Sequence, residues 1–95
     1  MTAIQQVKRE QLLKFIKQYN KDILKYNTFI HINDITYFDG SHLQLQFDED
    51  CLENGDSDEP LYIMYKSGVI CSIQVDDIKS MWYRDMLTNS VVSFQ

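Results

Sequence analysis

The sequence predicts an α+β domain in which one long N-terminal helix packs on a strongly bent antiparallel sheet of about five strands. Three observations lead to this fold class. Apolar side chains recur at helical spacing over the first 27 residues, β-branched and aromatic residues are frequent in the remainder, and two-residue turn signals ending in glycine separate the strand-like runs. With 95 residues and a hydrophobic share of 44%, the chain is expected to form a single domain over residues 1–95.

Residues 3–27 are predicted to form one amphipathic helix, because neither proline nor glycine interrupts them. Its apolar face carries Ile4, Leu12, Phe15, Ile16, Tyr19, Ile23 and Tyr26, and Leu13 and Leu24 widen that face. The opposite side carries a lysine row, defined as Lys14, Lys17, Lys21 and Lys25. This row is either the solvated back of the helix or a surface that binds phosphates.

Residues 28–38 are predicted to form a strand, since β-branched and aromatic residues dominate them. The apolar alternation changes phase at Asn33–Asp34, which predicts a β-bulge there. Asp39–Gly40 then predicts a type I′ turn into a second strand, 41–48. The expected register places Leu43, Leu45 and Phe47 on the buried face, Thr36 opposite Leu43, and His42 outward opposite Tyr37.

A second hairpin is predicted from residues 61–66 and 69–75, joined by Ser67–Gly68. Both of its faces are apolar, which is typical of strands at the centre of a sheet, or of strands that the helix covers on one side and another element on the other. One face is expected to carry Tyr62, Met64, Val69, Cys71, Ile73 and Val75, and the other Leu61, Ile63, Tyr65 and Ile70.

The C-terminal segment begins with Asp76–Asp77, which favours a short helix or 3₁₀ turn over residues 78–87, with a strand as the alternative. Residues 88–90 are predicted to turn, and 91–94 to form a short final strand. The pattern of residue types in Gly68–Ile78 resembles that of the segment before the last strand of small SH3-like and Sm-like barrels. That resemblance implies a sheet that partly closes into a barrel.

The acidic stretch, residues 48–59, carries seven carboxylates and no basic side chain. It fails the EF-hand template, because Leu52 stands at a ligand position and Glu53 at the glycine position of a loop that would start at Asp48. Asn54–Gly55 predicts a turn within it. Two interpretations stay open: a solvated loop between hairpins, or carboxylates that imitate nucleic-acid phosphates and bind a basic groove.

The charge of the chain is unevenly distributed. The net charge is −5, but residues 1–27 hold six basic and two acidic side chains, whereas residues 28–95 hold three and twelve. A pI of about 4.7 argues against general nucleic-acid binding and against anionic membrane surfaces. The sequence thus predicts a basic helix joined to an acidic sheet.

Catalytic and metal-binding motifs are missing from the sequence. The histidines and cysteines, His31, His42, Cys51 and Cys71, match no zinc spacing. Cys71 alternates into an apolar strand face, as a buried small side chain does, and has no nucleophile signature around it. We therefore expect no enzymatic activity, no cofactor and no metal.

These patterns favour a non-enzymatic protein-binding module, an acidic inhibitor or regulator of a nucleic-acid-binding or processing protein, in the style of phage or mobile-element DNA mimics. Trp82–Tyr83–Arg84 has the composition of an interface hot spot, with core packing of Trp82 as the alternative. The predicted partner-binding residues are Asp48, Glu49, Asp50, Glu53, Asp56, Asp58, Glu59, Asp76, Asp77, Trp82 and Tyr83.

The expected partner is a protein with a basic surface, with no membrane and no direct nucleic-acid contact. The polar N-terminus and the two cysteines predict a cytoplasmic protein with free thiols. Two alternatives remain: a small barrel that binds nucleic acid through the lysine row, and a self-assembling component that dimerises through an edge strand.

Overall fold

The computed structural model describes residues 3–25, 28–38, 45–65 and 68–94. A long helix packed on antiparallel strands confirms the α+β class. The elements are helix α1 (Ala3–Ile23), strands β1 (Phe29–Ile32), β2 (Ile35–Phe38) and β3 (Gln46–Phe47), helix α2 (Glu49–Asn54), strands β4 (Leu61–Tyr65) and β5 (Gly68–Ile73), a 3₁₀ turn (Val75–Asp77), and strands β6 (Met81–Asp85) and β7 (Ser90–Phe94).

The described strands form two antiparallel sheets rather than one bent sheet of about five strands. One sheet has the order β2-β1-β6-β7, and the other has the order β3-β4-β5. No pairing joins the two sheets within the described residues, so this part of the chain does not close into a barrel. The SH3-like and Sm-like resemblance therefore does not extend to closure there.

Helix α1 confirms the predicted helix but ends at Ile23 rather than near residue 27. The Lys25 N–H donates to the Asp22 carbonyl at 3.0 Å, a bond between residues three apart that tightens the last turn. Leu24 is 64% exposed, so it does not widen the apolar face as expected. Tyr26 and residue 27 lie outside the described residues.

Strands β1 and β2 form a tight hairpin where the sequence predicted a bulge. Asn33 and Asp34 both have positive φ, 50° and 67°, which is the type I′ signature. Ile32 pairs with Ile35 directly beside this turn. The bulge prediction is wrong because short Asn and Asp side chains tolerate the left-handed region, so the turn forms without glycine.

The predicted turn at Asp39–Gly40 and strand residues 41–44, including His42, lie outside the described residues. Strand β3 lies near the C-terminal end of the predicted strand 41–48. It pairs with β4 through Phe47 and Ile63. Phe47 is buried, as its alternation predicted.

Strands β4 and β5 confirm the second hairpin, but not the predicted faces. Leu61 pairs with Ile73 and Ile63 with Cys71, so each pair shares a face that the sequence had divided. A register shift between Ile63 and Met64 interrupts the ladder. Strand β5 is an edge strand rather than a central one, which is why its side chains need not be buried on both faces.

Strand β6 occupies part of the segment 78–87, for which we favoured a helix or 3₁₀ turn. That prediction is wrong and the strand alternative is right, while the 3₁₀ turn falls earlier, at Val75–Asp77. Strand β6 lies between β1 and β7, so ladder bonds along both of its edges stabilise the extended form. The predicted final strand is confirmed as part of β7.

Helix α1 contacts both sheets, and Tyr19 marks the centre of the core. Its ring centroid lies 5.3 Å from that of Phe47 in one sheet and 5.2 Å from that of Tyr83 in the other. Such edge-to-face aromatic pairs add to the free energy of burial. None of the described helices is long and apolar enough to cross a membrane.

Candidate protein-interaction surface

The acidic stretch is a folded element rather than a free loop. Asp48 caps helix α2, its carboxylate accepting the N–H of Asp50 at 2.9 Å and of Cys51 at 3.3 Å. Leu52 on this helix is buried in the core. Acidic residues in the first turn also suit the positive end of the helix dipole. The sequence had offered only a turn and a loop here.

Gly55 ends α2 at a point where the chain turns sharply. Its N–H donates to the Cys51 carbonyl at 3.0 Å. A Cβ at this position would lie 2.3 Å from the same carbonyl oxygen, so only glycine fits without a backbone shift. A helix end thus stands where the sequence predicted an Asn54–Gly55 turn, with Asn54 as the last residue of α2 and Gly55 as its C-cap.

Arg9 of α1 holds the rest of the acidic stretch in place. Its side chain is only 7% exposed. The guanidinium donates to the backbone carbonyls of Glu59 at 3.0 Å, Ser57 at 3.4 Å, Asp56 at 3.4 Å and Leu52 at 3.5 Å. Because these partners are carbonyl groups, the carboxylates of Asp56 and the neighbouring Asp58 remain exposed to solvent.

Arg9 was missed at the level of sequence, although a signal was present. At helical spacing it precedes Leu12, Leu13 and Ile16 by three, four and seven residues, so it lies at the margin of the apolar face. A basic residue in that position has to find partners when the helix packs.

Further bonds from α1 fix the beginning of the acidic stretch. The Asn20 side chain donates to the Phe47 carbonyl at 2.9 Å and to Glu49 Oε2 at 2.8 Å, and it accepts the Phe47 N–H at 3.1 Å. Lys17 Nζ lies 3.5 Å from Glu53 Oε1 in an exposed ion pair. Two of the predicted carboxylates, those of Glu49 and Glu53, thus have partners on α1.

A second acidic segment, Asp76–Asp77, adjoins the acidic stretch. A cleft of about 230 Å³ is lined by Arg9, Ser57, Asp58, Glu59, Gln74, Val75 and Asp76. Asp58 and Asp76 therefore share one surface, although 18 positions separate them in the sequence. We define the acidic surface as the exposed residues Asp50, Glu53, Asp56, Asp58, Asp76 and Asp77.

The remaining predicted residues are half-buried or buried, although Glu59 also lines the cleft. Asp48, Glu49 and Glu59 are half-buried, and Glu59 Oε2 accepts the Tyr62 hydroxyl at 3.2 Å. Tyr83 is fully buried, and its hydroxyl donates to Asp22 Oδ2 at 2.7 Å, so it offers no surface to a partner. This places Tyr83 in the core rather than in a hot spot.

Trp82 points to the other face of the four-stranded sheet. It is half-buried, and its ring stacks on His31 with centroids 3.8 Å apart and an interplanar angle of 6°. Alternation along β6 separates Trp82 from the buried side chains of Met81 and Tyr83. The predicted trio therefore does not form one patch with the acidic surface.

The electrostatics of the acidic stretch disfavour cysteine chemistry. A hydrogen bond to Asp48, followed by burial and nearby carboxylates, raises the pKa of the Cys51 thiol. A thiol that holds its proton is a poor nucleophile. The hydrogen bond to Glu59 likewise raises the pKa of Tyr62. Cys51 and Cys71 are both free.

Within the described residues, no group of three or more His, Cys, Asp or Glu side chains is arranged to hold a metal ion. Comparison with known protein families, curated proteins and solved structures finds no match to this chain.

Proposed function

We propose that the protein is a non-enzymatic binding module whose acidic surface occupies the basic groove of a nucleic-acid-binding or processing protein, and thereby inhibits it. One observation carries the proposal. Two segments that are distant in sequence bring Asp58 and Asp76 to the same cleft, and the Arg9 guanidinium binds backbone carbonyls of the acidic stretch. A rigid array of carboxylates loses little entropy on binding.

The charge pattern supports a basic partner. Within the described part of the chain, four of the six carboxylates of the acidic surface accept no hydrogen bond and form no ion pair. They belong to the exposed residues Asp56, Asp58, Asp76 and Asp77. Carboxylates that face solvent attract a basic groove over a distance and raise the rate of association. Free thiols at Cys51 and Cys71 suit the reducing cytoplasm, which we propose as its location.

Substitution at the shared cleft tests this function. Asp58→Asn/Asp76→Asn removes two charges with little change of shape. In affinity capture from host lysate with mass spectrometry, the parent protein is expected to recover a basic nucleic-acid-binding protein that the variant loses. The parent should then displace nucleic acid from that purified partner, with weaker inhibition as salt rises.

A matched control separates the surface from net charge. Asp85→Asn/Leu87→Lys shifts the net charge by the same amount. Both positions lie at the β6–β7 turn, which is about 13 Å from the first residue of β6 along that strand. Leu87 is 75% exposed, and asparagine retains the oxygen that accepts the Leu87 N–H. Equal recovery by both variants would contradict the proposal, as would a direct gel shift of nucleic acid by the parent.

A further inference from the structure

The last residue of α2 and its C-cap, Asn54 and Gly55, are exposed to solvent. Asparagine is a thermolabile residue, and a following glycine favours its deamidation, because no side chain shields the backbone nitrogen that attacks the asparagine amide. The fold nevertheless requires glycine here, since a Cβ would lie 2.3 Å from the Cys51 carbonyl oxygen. The glycine of this labile pair is therefore fixed by the geometry of the helix end.

The folded end of α2 opposes the deamidation reaction. The attacking atom is the Gly55 nitrogen, whose N–H donates to the Cys51 carbonyl at 3.0 Å. The leaving group is the Asn54 amide nitrogen, which donates to Asp50 Oδ1 at 2.8 Å. Both hydrogen bonds have to open before the Gly55 nitrogen can lose its proton and reach the side-chain carbon. The last turn of a short helix opens more often than the whole protein unfolds.

We propose that Asn54 is a site of spontaneous deamidation, and that local opening at the end of α2 sets its rate. In the open form, the Gly55 nitrogen bonds to Cγ of Asn54 and gives up its proton, and the Cγ–Nδ2 bond breaks to release ammonia. Water then opens the resulting succinimide ring at either carbonyl carbon. The products are aspartate and isoaspartate, and in isoaspartate the backbone continues through the side-chain carbon.

Either product alters the acidic stretch. The new carboxylate lies four residues after Asp50, so repulsion between like charges replaces a hydrogen bond. It also lies at the C-terminal end of a helix, where negative charge is unfavourable. Isoaspartate in addition lengthens the backbone between Leu52 and Asp56, whose carbonyls both bind Arg9. The reaction needs only solvent water, so it is independent of any partner of the acidic surface.

Incubation of the full chain at mildly alkaline pH, followed by peptide mass spectrometry, measures the reaction at position 54. The folded protein should deamidate there at least about tenfold more slowly than the same chain in urea, because two hydrogen bonds have to open. Asn54→Gln should abolish the reaction, since the longer side chain would have to close a larger ring. No reaction at position 54 in urea would overturn the site, and equal rates in the folded protein and in urea would overturn the control by α2.

Two substitutions identify the opening that sets the rate. Asp48→Ala removes the N-cap of α2 and should speed both deamidation and hydrogen exchange of the Gly55 amide about fivefold. Thr28→Val is the matched control, because it removes a hydrogen bond to the Arg84 carbonyl in the four-stranded sheet. This variant should leave both rates unchanged. Equal acceleration by the two variants would assign the reaction to global unfolding and contradict the proposal.

Discussion

At the scale of single residues, buried polar groups of α1 shape the acidic surface. Arg9, Tyr19 and Asn20 each donate to backbone carbonyls of the acidic stretch or of the chain just before it. A buried donor or acceptor without a partner costs about 1–3 kcal/mol. A different conformation of the acidic stretch would leave these groups without partners, so the bonds favour the observed conformation over others. The loop conformation therefore depends on a few side chains that are not acidic themselves.

Replacing Arg9 with methionine should lower the free energy of unfolding by about 3 kcal/mol, because one buried and three partly buried carbonyls lose their donor at once. Arg9→Lys keeps the charge but not the planar fork, so it should cost more than half of that amount. Urea unfolding measures both. Lys14→Met, at an exposed position of the same helix, should change stability by less than about 0.5 kcal/mol. A comparable loss in this control would contradict the role given to Arg9.

Tyr83 makes stability sensitive to alkaline pH. Burial, then its hydrogen bond to Asp22, raises the pKa of the Tyr83 hydroxyl well above its ordinary value. An unfolded tyrosine loses its proton near pH 10. The folded state therefore holds more protons above about pH 10, and stability falls as pH rises. Tyr83→Phe should cost about 1 kcal/mol at neutral pH and less at about pH 11. A cost that is equal at both values would contradict this linkage.

At the scale of elements, the turn between β1 and β2 also positions the second acidic segment. The Asn33 side chain donates to the Asp77 carbonyl at 2.8 Å and accepts the N–H groups of Lys79 at 2.6 Å and Ser80 at 3.1 Å. The Asn33 N–H donates to the Ser80 carbonyl at 3.0 Å. One residue thus forms a turn and fixes the chain between the 3₁₀ turn and β6.

Two substitutions at Asn33 separate these effects. Asn33→Gly keeps the positive φ but loses the side-chain bonds, and it should cost about 1–2 kcal/mol. Asn33→Ala loses both and should cost about 1 kcal/mol more. Asp34→Gly, at the exposed second turn position, should be neutral or slightly stabilising, because glycine suits that position of a type I′ turn. Thermal unfolding ranks the three, and an equal cost for alanine and glycine at position 33 would contradict the assignment.

Elements were predictable where the local pattern was unambiguous. The spacing from Leu12 to Ile23 has a clear helical period, and α1 was predicted from it. Met81–Trp82–Tyr83 has no clear period, so neighbouring strands decided its conformation. The change of phase at Asn33–Asp34 suggested a bulge, but a two-residue turn with positive φ at both residues formed there instead. In each failure, a non-local pairing or an uncommon backbone conformation prevailed over local preference.

At the scale of the whole molecule, α1 is the contact between two sheets. Tyr19 touches Phe47 in one and Tyr83 in the other, and its hydroxyl donates to the Leu45 carbonyl at 2.7 Å. The same helix places Arg9 and Lys17 against the acidic stretch, whereas Lys14 lies between α1 and β7.

Because α1 joins both sheets, the protein should unfold in one cooperative transition. Trp82 fluorescence reports the four-stranded sheet, and far-ultraviolet circular dichroism reports the helices. Tyr19→Leu should lower the midpoint by the same amount with both probes, with a loss of about 2–4 kcal/mol. Separate transitions in the parent protein would contradict this coupling.

The sequence by itself determined the α+β class, the amphipathic helix and the separation of basic and acidic segments, because periodicity and charge are properties of neighbouring residues. The tertiary structure alone decided that the strands form two sheets, that Leu61 shares a face with Ile73, and that Tyr83 is buried. It also brought Asp58 and Asp76 to one cleft and placed the Arg9 guanidinium against the backbone of the acidic stretch. Those features depend on contacts between distant segments, for which strand pairing and burial of polar groups set the free energy.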